Sequence, residues 1–500
     1  MPGSVRHPPT HLAFPNSFLA CVLTALVAKD AQGSGRVHDG HTMEPPPDAL
    51  RAFRRSLYEC FHRRRDALFE LTDAILSADG AIPSPAHLSL QTSHRRGWGS
   101  LYAALCKGRI DAEALRRLLA RHPLAQEETP IYAVDLSVWD RCDAECSPER
   151  GFYYHPSRHS AGQPIVAGWA YQFVAQLNFV RESWTAPMDV ERLRPGQDAN
   201  VIATGQVRSF LLRRLCRSSC EEGTATTPLF VFDAGYDPVK VQQGLEGSPC
   251  QILLRLRAGR RFYGEPSLCD PPQNIGRPRR HGPKMKCSEP STWPEPSAEH
   301  RCEEAAYGSV RVRAWAEMHP KVQNHAGKGT RGPLPIVVGT LILVEVERLP
   351  RGERRREPRV LWLWWHGPEG TTPNLDLIWR SYVRRFDLEH TFRFLKQSMG
   401  WTTPRVRHPE QADRWSWLVV AAYTQLRLAR TRVADLRLPW ERRYDPGRLT
   451  PVRVHRVVSS LLAEIGTPAK APKPCGRSPG RPKGRLSGRA KRYPAIKTAA

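Results

Sequence analysis

An aspartate in the middle of an apolar strand is costly, because a carboxylate taken out of water must be paired or must hold a metal. This chain sets Asp135 in such a strand, PIYAVDLSVW, between Val134 and Leu136. It repeats the pattern at Asp233, which ends the run LFVFD and is followed by Ala234 and Gly235. Asp237, a little further on, is the alternative to Asp233. Loops just beyond strand ends are where α/β sheets bind ligands. Either acid alone reads equally well as a cap at a strand end.

A third element shifts that balance. Tyr382, Arg385, Glu389 and Lys396 stand at offsets of 0, 3, 7 and 14 within a strong helical pattern, DLIWRSYVRRFDLEHTFRFLKQSMG. At about 100° per residue they fall within roughly 60° of one another. One stripe of the helix therefore presents a phenol, a guanidinium, a carboxylate and an ammonium, while Asp387 points away. An ordinary i,i+4 ion pair accounts for Arg385 and Glu389 but for neither Tyr382 nor Lys396.

The surrounding pattern gives the organisation. Residues 48–125 read as amphipathic helices with Arg between the apolar positions, and Asp111 stands as a cap for the last of them. PIYAVDLSVW, GWAYQFVAQLNFV, TPLFVFDAGYDP and QILLRLR are strands, with a helix over DANVIATGQVRSFLLRRLCRS, so 130–258 is an α/β core with a mixed sheet. Residues 259–370 form a β-rich insertion carrying VRVRAWAEMHP, LPIVVGTLILVEVE and RVLWLWWHG, and 371–435 return to the core with two long helices. From Pro439 the period is lost, and 467–500 read as a disordered basic tail with no acid. Residues 1–42 have no helical or strand period and read as disordered or untranslated, with Met43 as the start.

Charge bears on the partner. A net charge of +26 over 500 residues makes a surface that repels itself and suits a polyanion, with double-stranded DNA foremost. The twelve cysteines form no CxxC pair, and Cys142/Cys146 and Cys216/Cys220 lack the knuckle spacing of a zinc site. Scattered thiols fit a reducing cytoplasm. The one long apolar stretch, SFLACVLTALVA, is too short to span a bilayer, so no membrane partner is expected.

The spacing Tyr-x2-Arg-x3-Glu-x6-Lys in YVRRFDLEHTFRFLK resembles the signature of one subgroup of DDE cut-and-paste transposases from bacterial insertion sequences. YAVDLSVW and FVFDAGYD are similar to that family's two aspartate strands, and the likeness spans residues 130–428. The resemblance implies an RNase H-like core in which Asp135, Asp233 and Glu389 are catalytic and hold two Mg²⁺ ions, with Mn²⁺ able to substitute. It implies Mg²⁺-dependent cleavage at element ends and strand transfer, by cut-and-paste through a hairpin. Arg385 and Lys396 are then expected to hold DNA phosphates, and Tyr382 a phosphate or the deforming strand. In RVLWLWWHG, Trp362 and Trp364 share a core face, which leaves Trp365 on the other face as the expected platform for a flipped base. The helical 48–125 is expected to bind DNA ends, and joining two ends implies a homodimer or higher synaptic complex on the bacterial nucleoid. Two alternatives are a non-catalytic DNA-binding protein derived from a transposase and a general RNase H-like nuclease.

Overall fold

The computed structural model describes residues 49–500 apart from 126–128, 156–163, 181–182, 219–225, 267–279, 323–333, 350–358, 475–481, 485–487 and 498–500. The expectation for residues 1–42 lies outside the described residues.

Apolar residues at helical spacing form α1 (Ala49–Glu59), which buries Leu50, Phe53 and Leu57 and turns Arg51 and Arg55 outward. A short strand β1 (Phe61–Arg63) pairs antiparallel with β2 (Arg109–Ile110). Between and after them come α2 (Arg65–Leu76), α3 (Pro85–Leu88), α4 (Trp98–Lys107) and α5 (Ala112–Ala120). Asp111 caps α5 as expected, accepting from Ala114 N at 2.9 Å.

The central strand β3 (Ile131–Asp140) is flanked on one side by β5 (Ile165–Leu177), antiparallel, whose far edge carries β4 (Gly151–Tyr154) and β6 (Ala186–Leu193). On its other side lie β7 (Leu229–Phe232) and β8 (Gln251–Leu256), both parallel to β3. Helices α6 (Ala199–Ser218) and α7 (Pro238–Gly244) belong to the same core. The order β6-β5-β3-β7-β8, with its antiparallel half and its parallel half, is an RNase H-like core.

The β-rich block supplies β9 (Arg261–Tyr263), β10 (Lys284–Lys286), β11 (Ala298–Glu304), β12 (Gly308–Pro320), β13 (Gly339–Val346) and β14 (Arg359–His366). It is not a separate sheet. Strand β14 pairs antiparallel with β8, and β13 and β12 follow, so the block continues the core sheet from an edge that would otherwise expose unpaired backbone. The C-terminal helices are α8 (Leu375–Arg384), α9 (Phe386–Gln397), α10 (Pro409–Ala429) and α11 (Pro451–Ile465). Helix α11 corrects the loss of period expected beyond Pro439. Pro451 opens it and Gly466, at φ 79°, closes it, which are the start and stop residues a helix favours.

Period two sorts the strand residues onto two faces. Ile131, Ala133, Val231, Leu253 and Leu363 pack in one apolar cluster with α8, α9 and α10. Tyr132, Val134, Phe230, Leu254 and Trp364 pack in another with α6 and α7. Asp135 and Arg255 therefore lie on the face that meets α8 and α9.

The helical N-terminal part is tied into this body. Arg54, 2 % exposed, donates to both carboxylate oxygens of Asp73 at 2.6 and 3.0 Å, to Gln425 Oε1 at 2.8 Å and to the Gly466 carbonyl at 3.0 Å. One guanidinium thus joins α1, α2, α10 and the end of α11. Part of the expected tail is also ordered. Lys470 N donates to Asp66 at 3.0 Å, and Tyr493 N and Ile496 N donate to the Glu145 and Arg150 carbonyls, each at 2.7 Å. Among the described residues, no helix is long and apolar enough to cross a membrane.

Candidate active site

Asp135 stands at the middle of β3, and Asp233 follows the last residue of β7. The parallel register Val134↔Phe232 sets the two acids side by side at one level of the sheet. Opposite them the helical segment is not continuous. It breaks at Arg385 into α8 and α9, and Arg385 itself keeps helical angles, φ −52° and ψ −30°. From the stripe seen in the sequence, Tyr382 and Arg385 face the two aspartates at this junction.

The guanidinium of Arg385 is the hub. Its Nη1 lies 2.6 Å from Asp135 Oδ2 and 3.8 Å from Glu389 Oε1, and its Nη2 lies 3.6 Å from Asp233 Oδ1. The side chain is 0 % exposed, and its Nε and Nη2 make no hydrogen bond. Tyr382 donates its hydroxyl to Asp233 Oδ1 at 3.3 Å and sets its ring 5.9 Å from the Arg385 guanidinium. Arg255 on β8 reaches Asp233 Oδ1 at 3.8 Å. Five elements, β3, β7, β8, α8 and α9, thus converge three carboxylates, two guanidiniums and a phenol.

Burial raises both aspartates, and their partners decide how each titrates. At Asp135, whose side chain is 13 % exposed, burial raises the carboxyl above its ordinary range against the pull of Arg385, and Glu389 and Asp233 raise it further. At Asp233, 30 % exposed, burial again acts upward, but Arg385, the Ala234 N–H, Arg255 and Tyr382 outweigh it and hold the carboxyl low. Burial and the adjacent Asp233 push the Tyr382 hydroxyl well up, so it stays a donor.

The donor set suits a divalent cation. It consists of hard carboxylate oxygens, and Asp233 and Glu389, with side chains 30 and 33 % exposed, face the solvent, but with the Arg385 guanidinium among them the oxygens of the three acids do not all come within 4.8 Å of one another. The buried Nε and Nη2 of Arg385 are N–H donors without acceptors, so they call for an oxygen ligand there and not for a cation.

The remaining expected residues fall elsewhere. Lys396 is half-buried in the last turn of α9, with Nζ 5.7 Å from the Trp401 ring. Arg385 is enclosed by carboxylates, with its Nε and Nη2 left without acceptors. Trp365 is corrected too. It is 4 % exposed, its Nε1 donates to Gln251 at 3.1 Å, and a Cβ added at Gly367 would come within 2.7 Å of its ring. It is a packing residue, and Trp365→Ala should cost about 3–5 kcal/mol of stability, read from a denaturant midpoint. A shift below about 1 kcal/mol would restore the exposed-platform reading. Trp362 and Trp364 are core, as their shared face suggested. Asp237 caps α7, accepting from Val239 N at 3.0 Å and Lys240 N at 3.2 Å, and Asp387 pairs with Arg384 at 3.0 Å.

Sequence reasoning missed Arg255 and the pair Gln172–Tyr236, in which Gln172 donates to the Tyr236 hydroxyl at 2.5 Å beneath the acids. The cost argument that singled out Asp135 applies equally to Arg255 in QILLRLR, and there lay the signal.

A family model described as DDE superfamily endonuclease matches residues 56–321. The matched span includes Asp135, Asp233 and Arg255 and stops short of the segment that carries Tyr382, Arg385 and Glu389. No curated protein matches the chain.

Proposed function

Since this chain belongs to the DDE superfamily endonuclease family, we propose that it is a DNA transposase of the bacterial subgroup with the Tyr-Arg-Glu-Lys signature, cleaving insertion-sequence ends and joining them to a target. The observation that carries the reading is the single guanidinium of Arg385 facing Asp135, Asp233 and Glu389 at 2.6, 3.6 and 3.8 Å. Glu389 lies beyond the matched span, and its 3.8 Å approach to Arg385 supports reading it as the third carboxylate. Asp135, Asp233 and Glu389 would hold the metal. When bound, divalent ions supply the Lewis acid that activates a water or a DNA 3′-hydroxyl and stabilises the leaving oxygen. Tyr382 and Arg255 fix the Asp233 carboxylate, and Arg385 keeps the three acids at one place despite their repulsion.

A cavity of about 930 Å³ lies between the helical N-terminal part and the β6–α10 side of the core. It is not at the carboxylates. Its exposed basic rim, Arg63, Lys107, Arg109 and Arg194, suits a DNA flank held at a distance from the cut. Replacing all four by Ala should lower the log–log salt slope of duplex binding by up to about 3.6, at about 0.9 per phosphate contact. An unchanged slope would remove this rim from the DNA path.

The function is tested on a plasmid carrying the DNA that flanks the gene. Mg²⁺-dependent nicks confined to the ends of flanking inverted repeats, followed by joining and a homodimeric or larger DNA complex, are expected. Random nicking would favour a general nuclease, and binding without nicking a non-catalytic descendant. A hairpin intermediate belongs to the proposal, but its flipped base would need a receiver other than the buried Trp365.

A further inference from the structure

A second cluster of ligand-type side chains lies where the β insertion meets α8. Among the described strands β11 pairs with β12 alone, and it leaves alternate residues half-buried: His300, Cys302 and Glu304, with exposed residues between them. Period two therefore turns an imidazole and a thiol to one side. Asp376, in the first turn of α8, faces them. His300 Nε2 stands 3.3 Å from Asp376 Oδ1, and the His300, Cys302 and Asp376 ligand atoms all lie within 4.8 Å of one another.

We propose that His300, Cys302 and Asp376 form a binding site for a borderline-soft divalent ion of the Zn²⁺ class, distinct from the carboxylate centre. An ion pair between His300 and Asp376 accounts for two of the three residues and leaves the thiol unexplained. At metal–ligand lengths of about 2.0–2.2 Å, nitrogen and oxygen on a tetrahedral ion are about 3.3–3.5 Å apart, which is the separation already present. The sulfur, within 4.8 Å of both, needs a side-chain adjustment of at most about 1 Å to reach its longer bond of about 2.3 Å. His300 Nε2 is buried and makes no hydrogen bond, so with the ring proton on Nδ1 it would offer its lone pair to an ion in the gap.

The outer contacts suit the assignment. Arg380 Nε lies 2.9 Å from each Asp376 oxygen, and Trp379 Nε1 donates to Oδ1 at 3.1 Å, so the carboxylate is held in one orientation. The positive charge of Arg380 is shared with Glu304, 3.0 Å away. With the thiol ionised, Asp376, Glu304 and Cys302 outweigh Arg380 by two charges, which a divalent ion balances. Three protein ligands leave the fourth position for water. The bound ion clips β11 to the helix that carries Tyr382 and ends just before Arg385. It therefore fastens the insertion to the catalytic stripe, whatever reaction that stripe performs.

The test titrates Co²⁺ into the full chain with Mg²⁺ in excess, so that the oxygen-ligand centre is already supplied. One equivalent should produce a thiolate-to-cobalt charge-transfer band, which an all-oxygen centre cannot give. Cys302→Ser should abolish the band, and His300→Gln and Asp376→Asn should each weaken Zn²⁺ binding at least about tenfold. Absence of the band in the unaltered chain, or its survival in Cys302→Ser, overturns the proposal. A second measurement needs no variant: one equivalent of Zn²⁺ should protect Cys302 from alkylation, read by peptide mass. Alkylation of Cys302 at an unchanged rate would overturn it equally.

Discussion

Asp135→Asn, Asp233→Asn and Glu389→Gln should each lower Mg²⁺-dependent DNA cleavage by at least about 10³-fold, near the loss seen when a principal electrostatic group leaves an active site. DNA binding should be unchanged or tighter, since each substitution removes a negative charge and no contact to a base. The three amides keep the shape of their acids, so a misfolded protein is not the expected cause, and matched thermal melts check it. Losses should not add. Once one metal ligand is gone, a second substitution removes little more, as in any group of residues acting as a unit. A variant that cleaves at near the unaltered rate identifies an acid that takes no part. For Asp233, no transfer of its role to Asp237 is expected, because Asp237 is committed to the N-terminus of α7.

The acids were legible in the sequence for a physical reason. A carboxylate inside VDL, or at the end of LFVFD, is costly wherever the chain folds, and a helical stripe of four functional groups has no packing rationale. What the stripe faces was not legible. Angular position around a helix tells which residues share a side, but Arg385 could meet DNA or the protein's own acids. The choice depends on the register of β3 against β7 and on the break at residue 385. Trp365 failed in the same way. Period two gives its face, but Gln251 and Gly367, which enclose the ring, are known only once β14 is paired with β8. The β insertion read correctly as strands, yet its continuity with the core sheet depends on edge pairing, which side chains scarcely encode. The docking of Tyr493 and Ile496 uses backbone groups alone and leaves no mark in composition.

Arg385→Met should destabilise the metal-free protein by about 3 kcal/mol or more, and Mg²⁺ should restore more stability to the variant than it adds to the unaltered chain. Three carboxylates within one guanidinium's reach repel one another by a few kcal/mol at an effective dielectric near 20, even a few ångströms apart. Arg385 offsets that repulsion from a position with no exposed surface, and its nearest partner, Asp135, is itself largely buried. Removing one member of such a buried pair leaves the other uncompensated, which typically costs about 3–5 kcal/mol. Methionine fills most of the volume, so the loss reports charge and not a cavity. A divalent ion held by the same carboxylates would supply the missing positive charge, and its binding adds stability as RT ln(1 + [Mg²⁺]/Kd). The comparison that decides is the rise in melting temperature on adding Mg²⁺, measured for both proteins. A larger rise in the variant means that guanidinium and metal neutralise the same acids. Equal rises would mean that Arg385 and the metal act on separate charges, and Arg385 would then not be the counter-charge of the metal-binding acids. Cleavage should fall as well, since Asp135 loses the contact at 2.6 Å that fixes its carboxylate toward Asp233 and Glu389. Arg385→Lys should recover stability better than activity, because an ammonium keeps the charge but cannot reach three acids from one planar group.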